Sequence, residues 1–268
     1  MSAKIGFIGC GNMGRALLDG WRLAGCVSPN DVMVATKSSG EHIRRLYGIK
    51  PASVRAVFES AETVILAVKP QYYTDVIEGL TLSSSQILLS VMAGIETHSL
   101  RRYNPDGAVV RVMPNLASAI NSGATVGYCS NKTPLDIVEF VQSLFQSLGA
   151  FAWLETEEQF HAGTALVGSG PAFMFRAMAA FVQAGHQLGL ESSVCTELAI
   201  AMVKGSARLA ETSELDLSAL SKSVASPGGT TVAGLNALSM GQFEAVINQA
   251  VTAAASRSKE LAEEGTRQ

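Results

Sequence analysis

From its start to about residue 154, the chain alternates between short continuous apolar runs and stretches with helically spaced apolar residues. The continuous runs are rich in β-branched residues and predict buried strands of a parallel sheet. They cover residues 5–8, 31–35, 63–68, 87–91, 108–113, 124–128 and 150–154. Helical spacing predicts helices at 15–21, 44–47, 54–58, 72–76 and 135–148. This alternation is typical of an α/β domain with a doubly wound sheet.

Beyond the last predicted strand the sequence becomes alanine-rich and helical in pattern. Helices are predicted at 171–188, 194–209, 232–240 and 242–264. Pro171 suits the first turn of the first of these, with Ser169 or Gly170 as its cap. The sequence therefore predicts an N-terminal Rossmann domain at 1–158 and an all-α domain at 159–268. Because so small a helical domain often completes its core with a second subunit, we expect a dimer.

Three glycines follow the first predicted strand in the spacing Gly9-x-Gly11-x-x-Gly14, and a predicted helix follows them. Gly9 permits a tight turn, Gly11 lets the backbone approach a pyrophosphate, and Gly14 lets helix and strand pack closely. The N–H groups at the start of the helix then face the phosphates. The motif alone could be any flexible turn, but strand, turn and helix together favour a dinucleotide site.

The end of the second predicted strand bears on the choice between NAD and NADP. An NAD-specific site usually has Asp or Glu here to bind the ribose hydroxyls. This chain has Thr36, Lys37 and Ser38, and the first acid after them is Glu41. Hydroxyls and a cation suit a 2′-phosphate, so we expect NADPH, with NADH as the alternative. An ordinary polar loop would have the same composition.

Small residues and prolines follow three other strands, at 67–70, 92–94 and 113–115. Ligands of doubly wound sheets sit beyond the carboxyl ends of the strands, so these segments would let a flat ring approach. Any one of them could equally be a plain strand-to-helix loop. Lys69 is the charged residue among them, and it could orient a ligand or be an ordinary strand-end lysine.

Two segments rich in glycine and proline interrupt the helical half, at 167–173 and 224–234. In the second, Gly228, Gly229 and two threonines precede a short predicted helix. A glycine-rich helix start exposes backbone N–H donors, which suit a carboxylate. The alternative is a capped helix joined by a tight turn.

Composition excludes several classes of function. The net charge of −3 gives no basic footprint, so we expect no nucleic-acid partner. Cys10, Cys26, Cys129 and Cys195 form no CxxC pair, which disfavours a disulfide framework or a metal site and fits a reducing cytoplasm. With no secretory signal and no uninterrupted apolar run of about 18 residues, we expect a cytoplasmic protein and no membrane partner.

Five segments together resemble pyrroline-5-carboxylate reductase, in the family's order and across essentially the whole chain. They are Gly6-Phe7-Ile8-Gly9-Cys10-Gly11-Asn12-Met13-Gly14, Ala67-Val68-Lys69-Pro70-Gln71, Met113-Pro114-Asn115, Gly168-Ser169-Gly170-Pro171-Ala172-Phe173 and Ser226-Pro227-Gly228-Gly229-Thr230-Thr231. The last two are specific to that family. The resemblance implies an oxidoreductase of proline biosynthesis, in which NAD(P)H reduces 1-pyrroline-5-carboxylate to L-proline. It also implies a helical dimerisation domain, in homodimers that often assemble into decamers.

The resemblance assigns site residues by position. Those for the cofactor are Ile8, Gly9, Cys10, Gly11, Asn12, Met13, Gly14, Thr36, Lys37, Ala67, Val68, Lys69, Pro70, Met92, Ala93, Gly94 and Asn115. Those for the substrate are Ser226, Pro227, Gly228, Gly229, Thr230 and Thr231. Thr231, nearest the ring nitrogen, and Lys69 are the candidate catalytic residues. No metal is implied.

The chain departs from the family pattern at three places. Ser53-Val54 stands where an Asn often contacts the ribose, Lys222 where an acid is usual, and Met92 where a smaller residue precedes Ala-Gly. A cyclic iminium can take its proton from solvent, so the lack of an evident His–carboxylate pair fits the chemistry. His161 and His186 are therefore interpreted as structural.

Two other functions are considered. A β-hydroxyacid dehydrogenase shares the glycine motif but carries a catalytic Lys shortly after a Gly-x-Gly. Here Gly168-Ser169-Gly170 is followed by Pro171 and by no lysine, which disfavours that family. A non-catalytic NADP sensor would not need both a phosphate loop and a substrate loop, and a turnover assay separates it from an enzyme.

Overall fold

A seven-stranded sheet organises the first part of the chain in the computed structural model, which describes residues 5–37 and 40–266. The strands are β1 (Ile5–Ile8), β2 (Val32–Ala35), β3 (Thr63–Leu66), β4 (Ile87–Ser90), β5 (Ala108–Met113), β6 (Gly123–Cys129) and β7 (Gly149–Trp153). Their order is β2-β1-β3-β4-β5-β6-β7. The first five strands are parallel, whereas β6 runs antiparallel to β5 and β7 runs parallel to β6.

Helices cover both faces of this sheet, as its parallel part requires. They are α1 (Asn12–Ala24), α2 (Gly40–Tyr47), α3 (Val54–Ser60), α4 (Tyr73–Ile77), α5 (Thr97–Arg101) and α6 (Leu135–Gln146). Successive strand residues alternate between two apolar clusters, so that Ile65 and Leu89 join one while Val64 and Leu88 join the other. The predicted doubly wound sheet is therefore confirmed.

The remaining elements are helical. They are α7 (Gln159–Gly163), a π-helical turn (Thr164–Ser169), α8 (Gly170–Gln187), α9 (Ser192–Thr212), α10 (Leu217–Ser223), α11 (Thr230–Met240) and α12 (Phe243–Thr266). Pro171 lies in the first turn of α8 as predicted. Ser169 precedes that turn, but its backbone is helical and its side chain caps nothing, because the helix continues through the π turn. The pattern did not predict α5, α7, α10 or the π turn.

Packing divides the chain differently from the expected boundary after residue 158. One compact unit is Met1–Gly168 with Thr252–Gln268, and the other is Ser169–Val251. The first unit includes α7 because Phe160 is fully buried against Met113 and Val126. It includes the end of α12 because His161 Nδ1 lies 3.0 Å from Ser258 Oγ.

The second unit carries many exposed apolar side chains. Among them are Phe175, Phe181, Leu198, Ile200, Leu238 and Val246. Between α8 and α9 an apolar cleft of about 490 Å³ is open. The helical run Gln159–Gln187 is also long and apolar enough to cross a membrane by length and composition, and little of it is buried in the single chain. In the single chain these apolar surfaces are exposed to water, and burying them requires a partner.

Candidate functional site

The glycine turn between β1 and α1 begins at a residue that the fold itself requires to be glycine. Gly9 has φ +85°. A Cβ there would lie 2.6 Å from Val68 Cγ1 and 2.7 Å from the carbonyl oxygen of Ala67. The Gly9 N–H donates to the carbonyl of Ala35 at 2.8 Å. The turn is thereby held between the ends of β2 and β3, as the tight-turn role predicts.

Gly11 has no such internal reason to be glycine. Its φ of −76° suits any residue, and a Cβ there would meet no described atom within 4 Å. No described neighbour therefore explains why this position is glycine. At Gly14 a Cβ would lie 3.3 Å from Cys10 Sγ and 3.5 Å from the Gly9 carbonyl oxygen, so this glycine does permit close packing of helix and turn.

The start of α1 carries partial positive charge that no described side chain offsets. No side chain caps it, and its first turn contains no acid. The Arg15 guanidinium is held at this end, where it donates to Asn12 Oδ1 at 2.8 Å. Free N–H groups, the positive end of the helix dipole and this cation all favour negative charge.

Two other predicted residues of the turn can contact a ligand only through the backbone. The side chains of Ile8 and Cys10 are buried. Burial raises the pKa of the Cys10 thiol to about 11, with Arg15 opposing the shift and Asp19 adding to it. The thiol is therefore protonated at neutral pH and belongs to the apolar core. Met13 also packs against that core.

After β2, Thr36 is half-buried and Lys37 is exposed, while Ser38 lies outside the described residues. The Lys37 ammonium makes no hydrogen bond or ion pair within the part of the chain that is described. An open cavity of about 860 Å³ follows, lined by Gly40, Glu41, His42, Arg44, Arg45 and Pro51. The sequence analysis did not assign Arg44 and Arg45 to a cavity. Two adjacent cations in the helix that follows the second strand were the available signal.

The carboxyl ends of β1, β3, β4 and β5 meet at one edge of the sheet, since these strands are parallel. The predicted segments 67–70, 92–94 and 113–115 thus lie along the same edge as the glycine turn. Ala67 N–H donates to the Ile8 carbonyl at 2.8 Å, and Val91 N–H donates to the Leu66 carbonyl at 3.1 Å. At this edge Lys69 is exposed, and no described residue pairs with its ammonium.

Three predicted residues at this edge have internal contacts that explain them. Gly94 has φ +70°, and a Cβ there would lie 2.7 Å from Leu261 Cβ, so the end of α12 demands glycine. Met92 is buried in the apolar cluster that contains Val64 and Leu88. Asn115 accepts from Ala117 N–H at 3.1 Å and donates to the Val167 carbonyl at 3.3 Å. The Asn115 side chain therefore already makes hydrogen bonds that fix the loop after β5.

The predicted substrate segment lies in the second unit. Gly228 has φ +71°, and Gly229 N–H donates to the Ser226 carbonyl at 2.9 Å, which closes a tight turn. Thr230 and Thr231 begin α11, whose start has no side-chain cap and no acid in its first turn. This end of the helix therefore presents free N–H donors beside two hydroxyls.

Comparisons with known proteins give consistent matches along nearly the whole chain. Residues 157–261 match the family model for pyrroline-5-carboxylate reductase dimerisation, and residues 4–94 match that of coenzyme F420-dependent NADP oxidoreductase. A pyrroline-5-carboxylate reductase of Pseudomonas aeruginosa is 35% identical, with 97% of each chain covered. One from Arabidopsis thaliana is 34% identical over 98% of this chain and 96% of its own.

Solved structures agree as well. A pyrroline carboxylate reductase of Plasmodium falciparum with NADP bound has a TM-score of 0.88 at 25% identity, covering 97% of this chain and 98% of its own. A pyrroline-5-carboxylate reductase of Coxiella burnetii has a TM-score of 0.88 at 31% identity, covering 97% of this chain and 99% of its own.

Gly11→Ala should separate ligand binding from folding. The added Cβ meets no described atom, so the melting temperature should stay within about 2 °C, while dinucleotide affinity should fall about tenfold or more because the methyl obstructs the pyrophosphate. Gly9→Ala is the control and should destabilise the fold itself. Fluorescence titration and thermal unfolding measure the two effects. Unchanged dinucleotide affinity in Gly11→Ala would contradict the assignment.

Proposed function

Because this chain belongs to the pyrroline-5-carboxylate reductase family, we propose that its glycine turn and its Ser226–Thr231 segment carry the two halves of that family's reaction. The chain is an NAD(P)H-dependent oxidoreductase that reduces 1-pyrroline-5-carboxylate to L-proline, the last step of proline biosynthesis. The observation that carries this conclusion is the match to such reductases over nearly the full length of both chains.

We assign the cofactor to the domain of residues 1–158. The backbone of the glycine turn and the start of α1 would bind the pyrophosphate, and Thr36 with Lys37 the 2′-phosphate. NADPH, when bound, supplies the hydride. The carboxyl-end segments 67–70 and 92–94 would border the nicotinamide. What supports this is the uncapped helix start, the unexplained Gly11 and the Lys37 ammonium, which no described residue pairs.

We assign the substrate carboxylate to the start of α11, in the domain of residues 159–268. The N–H groups that follow Gly229 can donate to it, and the Thr231 hydroxyl would lie nearest the ring nitrogen. The proton can come from water, so a strong enzymic acid is not needed. Lys69, exposed and unpaired in the described chain, could orient the substrate or cofactor.

We also infer that the protein is a cytoplasmic homodimer, with decamers as a further assembly. The dimerisation match spans the exposed apolar helices of the second unit. A second copy would cover these surfaces, including the apolar run Gln159–Gln187, without any membrane.

Self-association is tested by sedimentation. Each chain has a mass of 28.1 kDa, and the principal species at micromolar concentration should be a dimer or larger. Leu198→Glu, which puts a charge on an exposed apolar position of α9, should shift the distribution toward monomer. A dilute unmodified sample that contains only the single-chain species would contradict the inference.

Lys37→Asp should shift the cofactor preference toward NADH. The ammonium no longer attracts the 2′-phosphate, and a carboxylate repels it while accepting from the ribose hydroxyls. We expect the ratio of kcat/KM for NADPH over NADH to fall about tenfold or more, because a charge-assisted bond is lost and a repulsion added. Lys50→Asp, an exposed lysine beyond α2, is the charge-matched control. An unchanged ratio would remove Lys37 from the 2′-phosphate site.

Gly229→Val should abolish most substrate binding and spare cofactor binding. A Cβ at this position would lie 2.5 Å from Ser226 Oγ and 3.0 Å from the Ser226 carbonyl oxygen, so the Ser226 side chain must rotate and the turn that presents the N–H donors is crowded. We expect KM for pyrroline-5-carboxylate to rise about tenfold or more, with NADPH affinity nearly intact. Thr231→Ala should lower kcat more mildly, since water still supplies the proton.

The control for that prediction is Gly234→Ala, which adds a Cβ to the same helix in open space. The unmodified protein must oxidise NADPH with pyrroline-5-carboxylate in the same assay. Absence of that turnover would overturn the proposed reaction, whereas normal kinetics of Gly229→Val would move the carboxylate to another place.

A further inference from the structure

A charged side chain lies inside the sheet, outside the residues assigned so far. Arg111 of β5 is only 1% exposed. Its Nη1 donates to Glu157 Oε1 at 2.8 Å, and its guanidinium carbon lies 4.0 Å from the centre of the Phe160 ring. Its Nε and Nη2 are buried without a hydrogen-bond partner among the described residues. Burial lowers the pKa of Arg111, and the hydrogen bond that Arg111 donates to Glu157 opposes that shift.

Glu157 also accepts two hydrogen bonds from the start of α5. Its Oε1 accepts from the Thr97 N–H at 2.7 Å, and its Oε2 accepts from the Thr97 hydroxyl at 2.6 Å. Thr97 is the first residue of α5, and Glu96 before it provides no side-chain cap. A carboxylate from a distant part of the chain therefore caps this helix and places negative charge at its positive end.

The two partners of Glu157 adjoin two neighbouring strand ends. Thr97 follows the segment 92–94 beyond β4, and Arg111 precedes the segment 113–115 at the end of β5. These strands are direct neighbours, with Ser90 opposite Arg111. One carboxylate thus ties together two segments of the sheet edge where the nicotinamide is expected.

Stability alone does not account for this arrangement. An apolar pair of similar volume is usually as stabilising as a buried ion pair, or more so. Two buried donors of Arg111 that have no partner among the described residues add a further cost. What the ion pair provides instead is a single directional geometry for the groups that it joins.

We propose that Glu157 is a positioning residue for hydride transfer, which fixes the segments 92–94 and 113–115 by binding Thr97 and Arg111 at once. The inference rests on the proposed function, because it assigns to that reaction the group that holds its nicotinamide-side edge. Glu157 itself exchanges no proton with the substrate. Its effect is on the placement of the ring, and small misplacements of reacting groups cost rate rather than binding.

A pair of Thr97 variants tests the proposal with little disturbance of packing. Thr97→Val keeps the side-chain shape and removes the hydroxyl donor to Glu157, whereas Thr97→Ser keeps the donor. We expect kcat to fall about three- to tenfold in Thr97→Val and to stay near the unmodified value in Thr97→Ser. The Kd for NADPH should change less than about twofold in both, because the phosphates carry most of that affinity.

A double variant separates positioning from stability. Arg111→Met with Glu157→Leu replaces the ion pair by apolar side chains, so the melting temperature should be unchanged or higher. We expect kcat to fall about tenfold or more, and amide exchange at 92–97 to become faster. If this variant does not fold, the Thr97 pair decides the question alone.

Unmodified kcat in Thr97→Val or in the folded double variant would overturn the proposal. So would losses of kcat that follow the losses of melting temperature across the set, since that is the behaviour of a purely stabilising pair. If the unmodified protein lacks reductase turnover, the proposed function fails separately. Amide exchange at 92–97 in the two Thr97 variants then still tests the tie, and equal exchange in both would reject it.

Discussion

Burial of both faces of the parallel strands is the constraint on which the rest of the first unit depends. Side chains of successive residues enter opposite apolar clusters, as Val109 and Val110 of β5 do. Helices must therefore cover both faces, and the faces offer no room for a polar ligand. The room for a polar ligand is therefore at the edge where the strands end. There the backbone turns that lead to the helices expose N–H groups.

Among the described residues, one buried side chain in this apolar layer carries a full charge, and it lies close to that edge. Arg111 is paired with Glu157, stacks on Phe160 and faces Tyr128 across the β5–β6 ladder. The position on β5 matters, because β6 reverses direction there and the ordinary sequence of parallel crossovers stops. Arg111 therefore lies at the strand where the first, parallel part of the sheet ends.

Glycines at the same edge differ in whether contacts within the protein explain them. Gly9 and Gly94 have positive φ and are crowded by Val68 and by Leu261, so the protein alone demands them. Gly11 has ordinary backbone angles and open space in front of it. A motif read from sequence cannot separate these cases, but the surroundings of each missing Cβ do.

Local pattern was sufficient for the strands, the longer helices and the glycine turn. Their signals, namely apolar periodicity and the special backbone angles of glycine, lie within a few neighbouring residues. The family resemblance likewise rested on short segments in a fixed order. Only the tertiary structure showed three other features. Glu157 caps α5, Leu261 leaves no room for a side chain at Gly94, and α7 and the end of α12 pack with the first unit. Each of these joins residues far apart in the chain, and such contacts depend on how whole elements pack rather than on any pattern along the sequence.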